Sequence, residues 1–135
     1  LLEVDEKALE KNEKYRVSLL SMLKLPAGNV DNATAALSAM KQPSSSVTPL
    51  AIAKIVQKAM VESPAIKLDS EPSLIKIGEK QFATFDYTAS AGNRSAKGKY
   101  LVTMSRDYSI TLFLSIETPR DEKVLAGIVN SIKFY

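Results

Sequence analysis

Residues 81–118 read QFATFDYTAS AGNRSAKGKY LVTMSRDYSI TLFLSIET, and their pattern decides the fold. Phe82 to Thr88, Tyr100 to Ser105 and Ser109 to Glu117 are rich in aromatic and β-branched residues, which suit a pleated, half-buried surface. In the last of these, Ile110, Leu112, Leu114 and Ile116 recur at every second position, with Thr111, Ser115 and Glu117 between them. That is the period of a strand with one face in a core. Three consecutive antiparallel strands are expected, joined through a loop from Ala89 to Gly98 whose Gly92-Asn93 and Lys97-Gly98 pairs permit tight reversal.

Working outward, Ile66 and Leu68 alternate with Lys67 and Asp69, and Leu74 to Ile77 is again strand-like beyond Pro72. Two short strands, or one bent at Pro72, are expected before the turn Gly78-Glu79-Lys80. The clearest helix start is Thr48, an N-cap followed by Pro49 at the first helical position, with Val47 and Ile52 placed as a hydrophobic staple. Its expected buried stripe is Ile52, Ile55, Val56, Ala59 and Met60, and Ser63-Pro64 ends it. Thr118-Pro119 repeats the device, and Val124, Leu125, Ile128, Val129 and Ile132 form one apolar face that closes the core. Exposure of Ile55 and Ile128 would count against this architecture. Residues 33–40 (ATAALSAM) suit helix by alanine content and strand by alternation. From Glu3 to Lys14 the acid-first pairs Glu3/Lys7 and Glu10/Lys14 favour a helix or a leader, one that could continue toward Lys24, where a strand is the alternative. The reading is therefore an N-terminal helical or leader segment over residues 1–30 and one α+β domain over 31–135.

With 135 residues, 45% of them hydrophobic and 24% charged, one domain with an adequate core is expected, without disorder. No apolar run reaches the roughly 18 residues of a membrane span, and Leu1-Leu2 meets charges at once, so a soluble chain is expected. The first residue is Leu, which is compatible with a removed leader. The sequence holds no Cys, His or Trp. This removes disulfides, Cys-His and Ser-His-Asp catalysis and zinc or haem held by His or Cys. A net charge of +3 is too mild to suggest a nucleic-acid footprint.

The candidate sites compete with simpler readings. Asp69 and Glu71 could face a hard cation, but supply too few oxygens for calcium. Ser44 to Ser46 with Lys54 as base lack the strained turn of a nucleophile elbow. Arg94, Lys97 and Lys99, with Lys80 and Arg106 near the strand ends, form a basic loop that can dock an acidic partner, anionic lipid or phosphate; lysines on loops also serve solubility. Tyr87, Tyr100 and Tyr108 are expected to pack with their hydroxyls at the rim. The glycines are scattered and make no phosphate loop.

The order of ATAALSAM, SVTPLAIAKIV, IKLDSEPSLIKIGEKQFATFDYTAS, a basic hairpin, YSITLFLSIET and VLAGIVNSIKFY resembles the PsbP-like superfamily over roughly residues 33–135. The echoes are Ile77-Gly78 before an aromatic strand, the alternating aliphatic strand, and a C-terminal helix ending at Asn130 to Phe134. That superfamily includes the photosystem II extrinsic protein, DcrB-like bacterial lipoproteins and a Ran-binding nuclear factor. The resemblance implies an antiparallel sheet flanked by helices, an α/β/α sandwich, and assigns residues 33–40 to a strand. It implies a non-enzymatic accessory or protein-binding domain without a cofactor, in the setting of a periplasmic or extracytoplasmic lipoprotein. The alternative is a carrier of a small apolar ligand between sheet and helix.

Overall fold

The computed structural model describes residues 3–4, 16–23, 34–43, 46–116, 123, 126–127 and 129–134. The elements are β1 (Glu3–Val4), β2 (Arg16–Leu23), β3 (Thr34–Lys41), α1 (Pro49–Met60), β4 (Ile66–Leu68), β5 (Ser73–Ile77), β6 (Lys80–Ala91), β7 (Arg94–Ser105), β8 (Tyr108–Ile116) and β9 (Lys133–Phe134). Seven of these strands make an antiparallel sheet in the order β2-β3-β8-β7-β6, with β4 and β5 sharing the last position along β6. The two terminal strands, β1 and β9, pair in parallel as a separate ribbon. This is the α+β architecture expected, and residues 34–41 are a strand.

Several local expectations change. Residues 3–4 are a strand in place of the expected helix or leader, and residues 16–23 take the strand alternative, with β2 paired to β3 through a register shift between Ser18 and Leu20. Residues 5–15, which hold most of the expected charge pairs, lie outside the described residues. The hairpin of β6 and β7 runs on until Ala91 faces Arg94, so the expected loop from Ala89 to Gly98 shrinks to Gly92-Asn93. Gly92 has φ 62°, the left-handed geometry such a two-residue reversal requires. Gly98 is a buried strand residue instead of a turn residue, opposite Tyr87.

Each face of the sheet has its own core. On one, Leu37, Phe82, Leu101, Ile110, Leu112 and Leu114 cluster with Val129 and Ile132 from the C-terminal segment. Lys123, Ala126, Gly127, Val129 and Asn130 are helical. The expected start at Thr118-Pro119 and three residues of its apolar face, Val124, Leu125 and Ile128, lie outside the described residues. On the other face, Ile52 and Ala53 of α1 pack with Ala83, Phe85, Tyr100 and Val102.

The capping of α1 is as expected: Thr48 is extended, its hydroxyl accepts from Ala51 N at 3.2 Å, and Pro49 opens the helix. The buried stripe is rotated from the expected one. Ala53 is 0% exposed while Ile55 is 68% exposed, and Ala59 is also exposed. At about 100° per residue Ile55 sits roughly 200° round the helix from Ala53, so seating Ala53 on the sheet turns Ile55 to solvent. The small side chain allows close approach, and Val56 and Met60 flank the contact.

Candidate protein-binding surface

The five basic residues expected to form one surface are distributed over the sheet. Arg94, Lys97 and Lys99 lie in β7. Because strand residues alternate, Arg94 shares the α1 face with Gly98 and Tyr100, whereas Lys97 and Lys99 lie on the opposite face with Leu101. Lys99 Nζ is 3.0 Å from Oδ1 of Asp86, its directly opposed partner in β6. Lys80 begins β6 and Arg106 is in the turn after β7, at the far end of the sheet. The eight residue steps from Lys97 to Ser105 span about 26 Å at ~3.3 Å each. Lys80 Nζ sits 4.8 Å from the centroid of the Phe134 ring and donates to Met104 O at 3.4 Å. Arg106 has φ 55° in the reversal between Ser105 and Tyr108. Thus Lys97 and Lys99 share one face at one end, Lys80 and Arg106 share the other end, and Arg94 is on the other face.

The other candidates have structural partners. Asp69 Oδ2 accepts from the Thr88 hydroxyl at 2.6 Å, and Glu71 Oε2 accepts from Gln57 Nε2 at 3.4 Å. Both carboxylates serve the break between β4 and β5, where Asp69 N and Ser70 N donate to Asp86 O and Ser70 Oγ accepts from Asp86 N. Among the described residues no group of three His, Cys, Asp or Glu could hold a metal. Ser46 and Lys54 are exposed, and Ser44 and Ser45 lie outside the described residues.

The tyrosines are core residues more than rim anchors. Tyr100 is 1% exposed, stacked at 4.9 Å on Phe85 and edge-on at 5.0 Å to Phe113. Burial pushes its hydroxyl up to about 12, only partly offset by nearby Thr111. No hydrogen bond of ordinary length and angle closes on it, so Thr111 is a neighbour rather than a partner. Burial also raises Tyr87, whose ring lies over Gly98. Tyr108 is buried in the other core.

A surface not anticipated from sequence lies on the β5 edge. Leu74 is 46% exposed and Ile75 37%, on opposite faces of a strand that, among the described residues, pairs only with β6. Val61, just past α1, is exposed too, one helical turn beyond the Gln57 that reaches Glu71. The available signal was the run Leu74-Ile75-Lys76-Ile77, where adjacent apolar residues break the alternation of a strand with one wet face. Such a run suits an inner strand, yet here it is at the margin.

No protein-family model and no curated protein matches the chain. Solved structures do. PA94 of Pseudomonas aeruginosa, a protein of unknown function, superposes with a TM-score of 0.57 at 20% identity, over 84% of this chain and 81% of its own. LpqN of Mycobacterium tuberculosis, involved in cell envelope biogenesis, gives 0.57 at 11% identity, over 87% and 76%. The cyanobacterial PsbP of Synechocystis sp. PCC 6803 gives 0.46 at 15% identity, over 87% and 78%. The chain shares the fold of PA94 and LpqN.

Proposed function

We propose that this chain is a non-enzymatic accessory domain that binds another protein, in an exported or lipid-anchored setting. The observation that carries the reading is the pair Leu74 and Ile75, large aliphatic side chains exposed on the two sides of β5. Large apolar side chains left exposed along a strand at the sheet margin point to a protein contact. The basic residues Lys97 and Lys99 on one face, Arg94 on the other, and Lys80 and Arg106 at the opposite end supply long-range steering toward an acidic partner. The envelope setting is suggested by the similar fold of LpqN.

The ligand-carrier reading finds less support between α1 and the sheet, because Ile52, Ala53, Phe85, Tyr100 and Val102 fill that space. The test is affinity capture from the native host with the wild-type chain and a Leu74→Ser/Ile75→Ser variant. The expected result is a partner held by the wild type and lost by a variant that melts within a few degrees of it. Equal recovery of every protein by both baits would overturn the reading.

A further inference from the structure

Resting on that protein-binding reading, we infer that β5 is the docking element and that it takes an extended segment of the partner as a further antiparallel strand. The outer side of β5 presents backbone N–H and C=O groups at every second residue; β6 lies on the inner side, and among the described residues no strand pairs with the outer one. A row of alternating donors and acceptors at strand spacing is matched by another extended backbone.

Side chains define the chemistry of that segment. Leu74 and Lys76 project on the α1 face, Ile75 and Ile77 on the opposite face. Lys76 is exposed and makes no ion pair among the described residues. The incoming strand therefore needs an acidic residue opposite Lys76 and apolar residues opposite Leu74 and Ile75. Glu71 and Glu79 flank β5 on its two sides, both exposed, so the segment carries basic residues at its ends.

The same arrangement disfavours a second copy of this chain. Self-pairing of two β5 strands about Ile75 sets each Leu74 against a Lys76 and brings Glu71 toward the Glu79 of the other copy. Mismatched and like-charged neighbours of this kind are how edge strands avoid pairing with themselves.

The probe is a blocked synthetic heptapeptide, Lys-Thr-Glu-Val-Val-Thr-Lys, which places its Glu opposite Lys76 and its two Val opposite Ile75 and Leu74. Titrated into the full chain and followed by backbone amide NMR, it is expected to shift residues 73–77 and slow their hydrogen exchange, with a dissociation constant of about 1 mM. The same peptide N-methylated at alternate residues should lose at least tenfold, and replacing its Glu with Lys should cost about fivefold. A Lys76→Glu chain should reverse the preference between the Glu and Lys peptides. Absence of shifts at residues 73–77, or equal binding by the N-methylated peptide, overturns strand addition. Neither result touches the capture experiment, so a failed titration with a successful capture would leave protein binding standing and remove only this mode.

Discussion

At the scale of single residues, the contact of Tyr87 with Gly98 governs the middle of the long hairpin. A Cβ on Gly98 would overlap the Cζ, Cε2 and hydroxyl atoms of Tyr87, which lies directly opposite in the ladder. Gly98→Ala is therefore expected to destabilise by about 1–3 kcal/mol, as overpacking does. In a Tyr87→Ala background the same change should cost clearly less, and thermal melts of the four chains in a double-mutant cycle check this. Tyr100 makes the second residue-scale prediction. Below about pH 10 its hydroxyl is protonated whether the chain is folded or not, and it adds no pH dependence. Between about 10 and 12 the unfolded chain loses that proton while the folded chain keeps it, because burial holds the folded value at about 12. Stability then falls as pH rises, by about 1.4 kcal/mol per unit from this group. Tyr100→Phe should flatten that part of the profile in urea titrations. It also removes a buried hydroxyl that closes no hydrogen bond, so at neutral pH the variant should be as stable or about 1 kcal/mol more stable.

At the scale of elements, α1 separates what capping specifies from what docking specifies. Thr48→Ala should cost about 1 kcal/mol, because Ala51 N loses its acceptor at the helix start. The facing of the helix is tested by two substitutions at neighbouring positions. Ile55→Lys should change stability by less than about 0.5 kcal/mol, since that side chain already meets solvent. Ala53→Leu should cost about 1–3 kcal/mol by wedging the helix off Phe85 and Val102. Chemical denaturation of both variants decides the orientation, and the opposite ranking would put Ile55 back in the core. Helix start and length were legible in Thr48, Pro49 and Ser63-Pro64 because these signals are local. The rotation was not legible, because Ile55 is more hydrophobic than Ala53 and a stripe drawn by hydrophobicity alone selects it. What selected Ala53 was the depth to which a helix can approach a sheet already crowded by aromatic rings.

At the scale of the molecule, the two cores and the positions of the cations follow from how the strands are ordered. Changing Arg94, Lys97 and Lys99 together to Ser removes, among other surface contacts, the ion pair of Lys99 with Asp86, whose partners are both substantially exposed. The stability cost should stay below about 1 kcal/mol. Association with a captured partner should weaken mainly at low salt and through the association rate, as measured by surface plasmon resonance across ionic strength. An unchanged salt dependence would return these residues to a solubility role. Their grouping in sequence suggested one basic loop. In the sheet Arg94 and Lys97 are on opposite faces, because an odd residue separation along a strand reverses the side chain's direction.

The amino-acid sequence by itself determined the class of the fold: alternation from Ile110 to Ile116, aromatic and β-branched runs at 82–88 and 100–105, and a Thr-Pro helix start are short-range patterns. Each reports which face of an element avoids water. It also determined what chemistry is unavailable, since a chain without His or Cys lacks those side chains however it folds. The tertiary structure alone decided which strand lies at the margin, which side of α1 meets the sheet, and where five cations separated in sequence come to rest. These depend on the order β2-β3-β8-β7-β6 with β4 and β5 outermost, and that order is set by contacts between residues far apart in the chain. Leu74-Ile75 looks like core material in a local window, and only the absence of a strand beyond β5 among the described residues turns it into a surface.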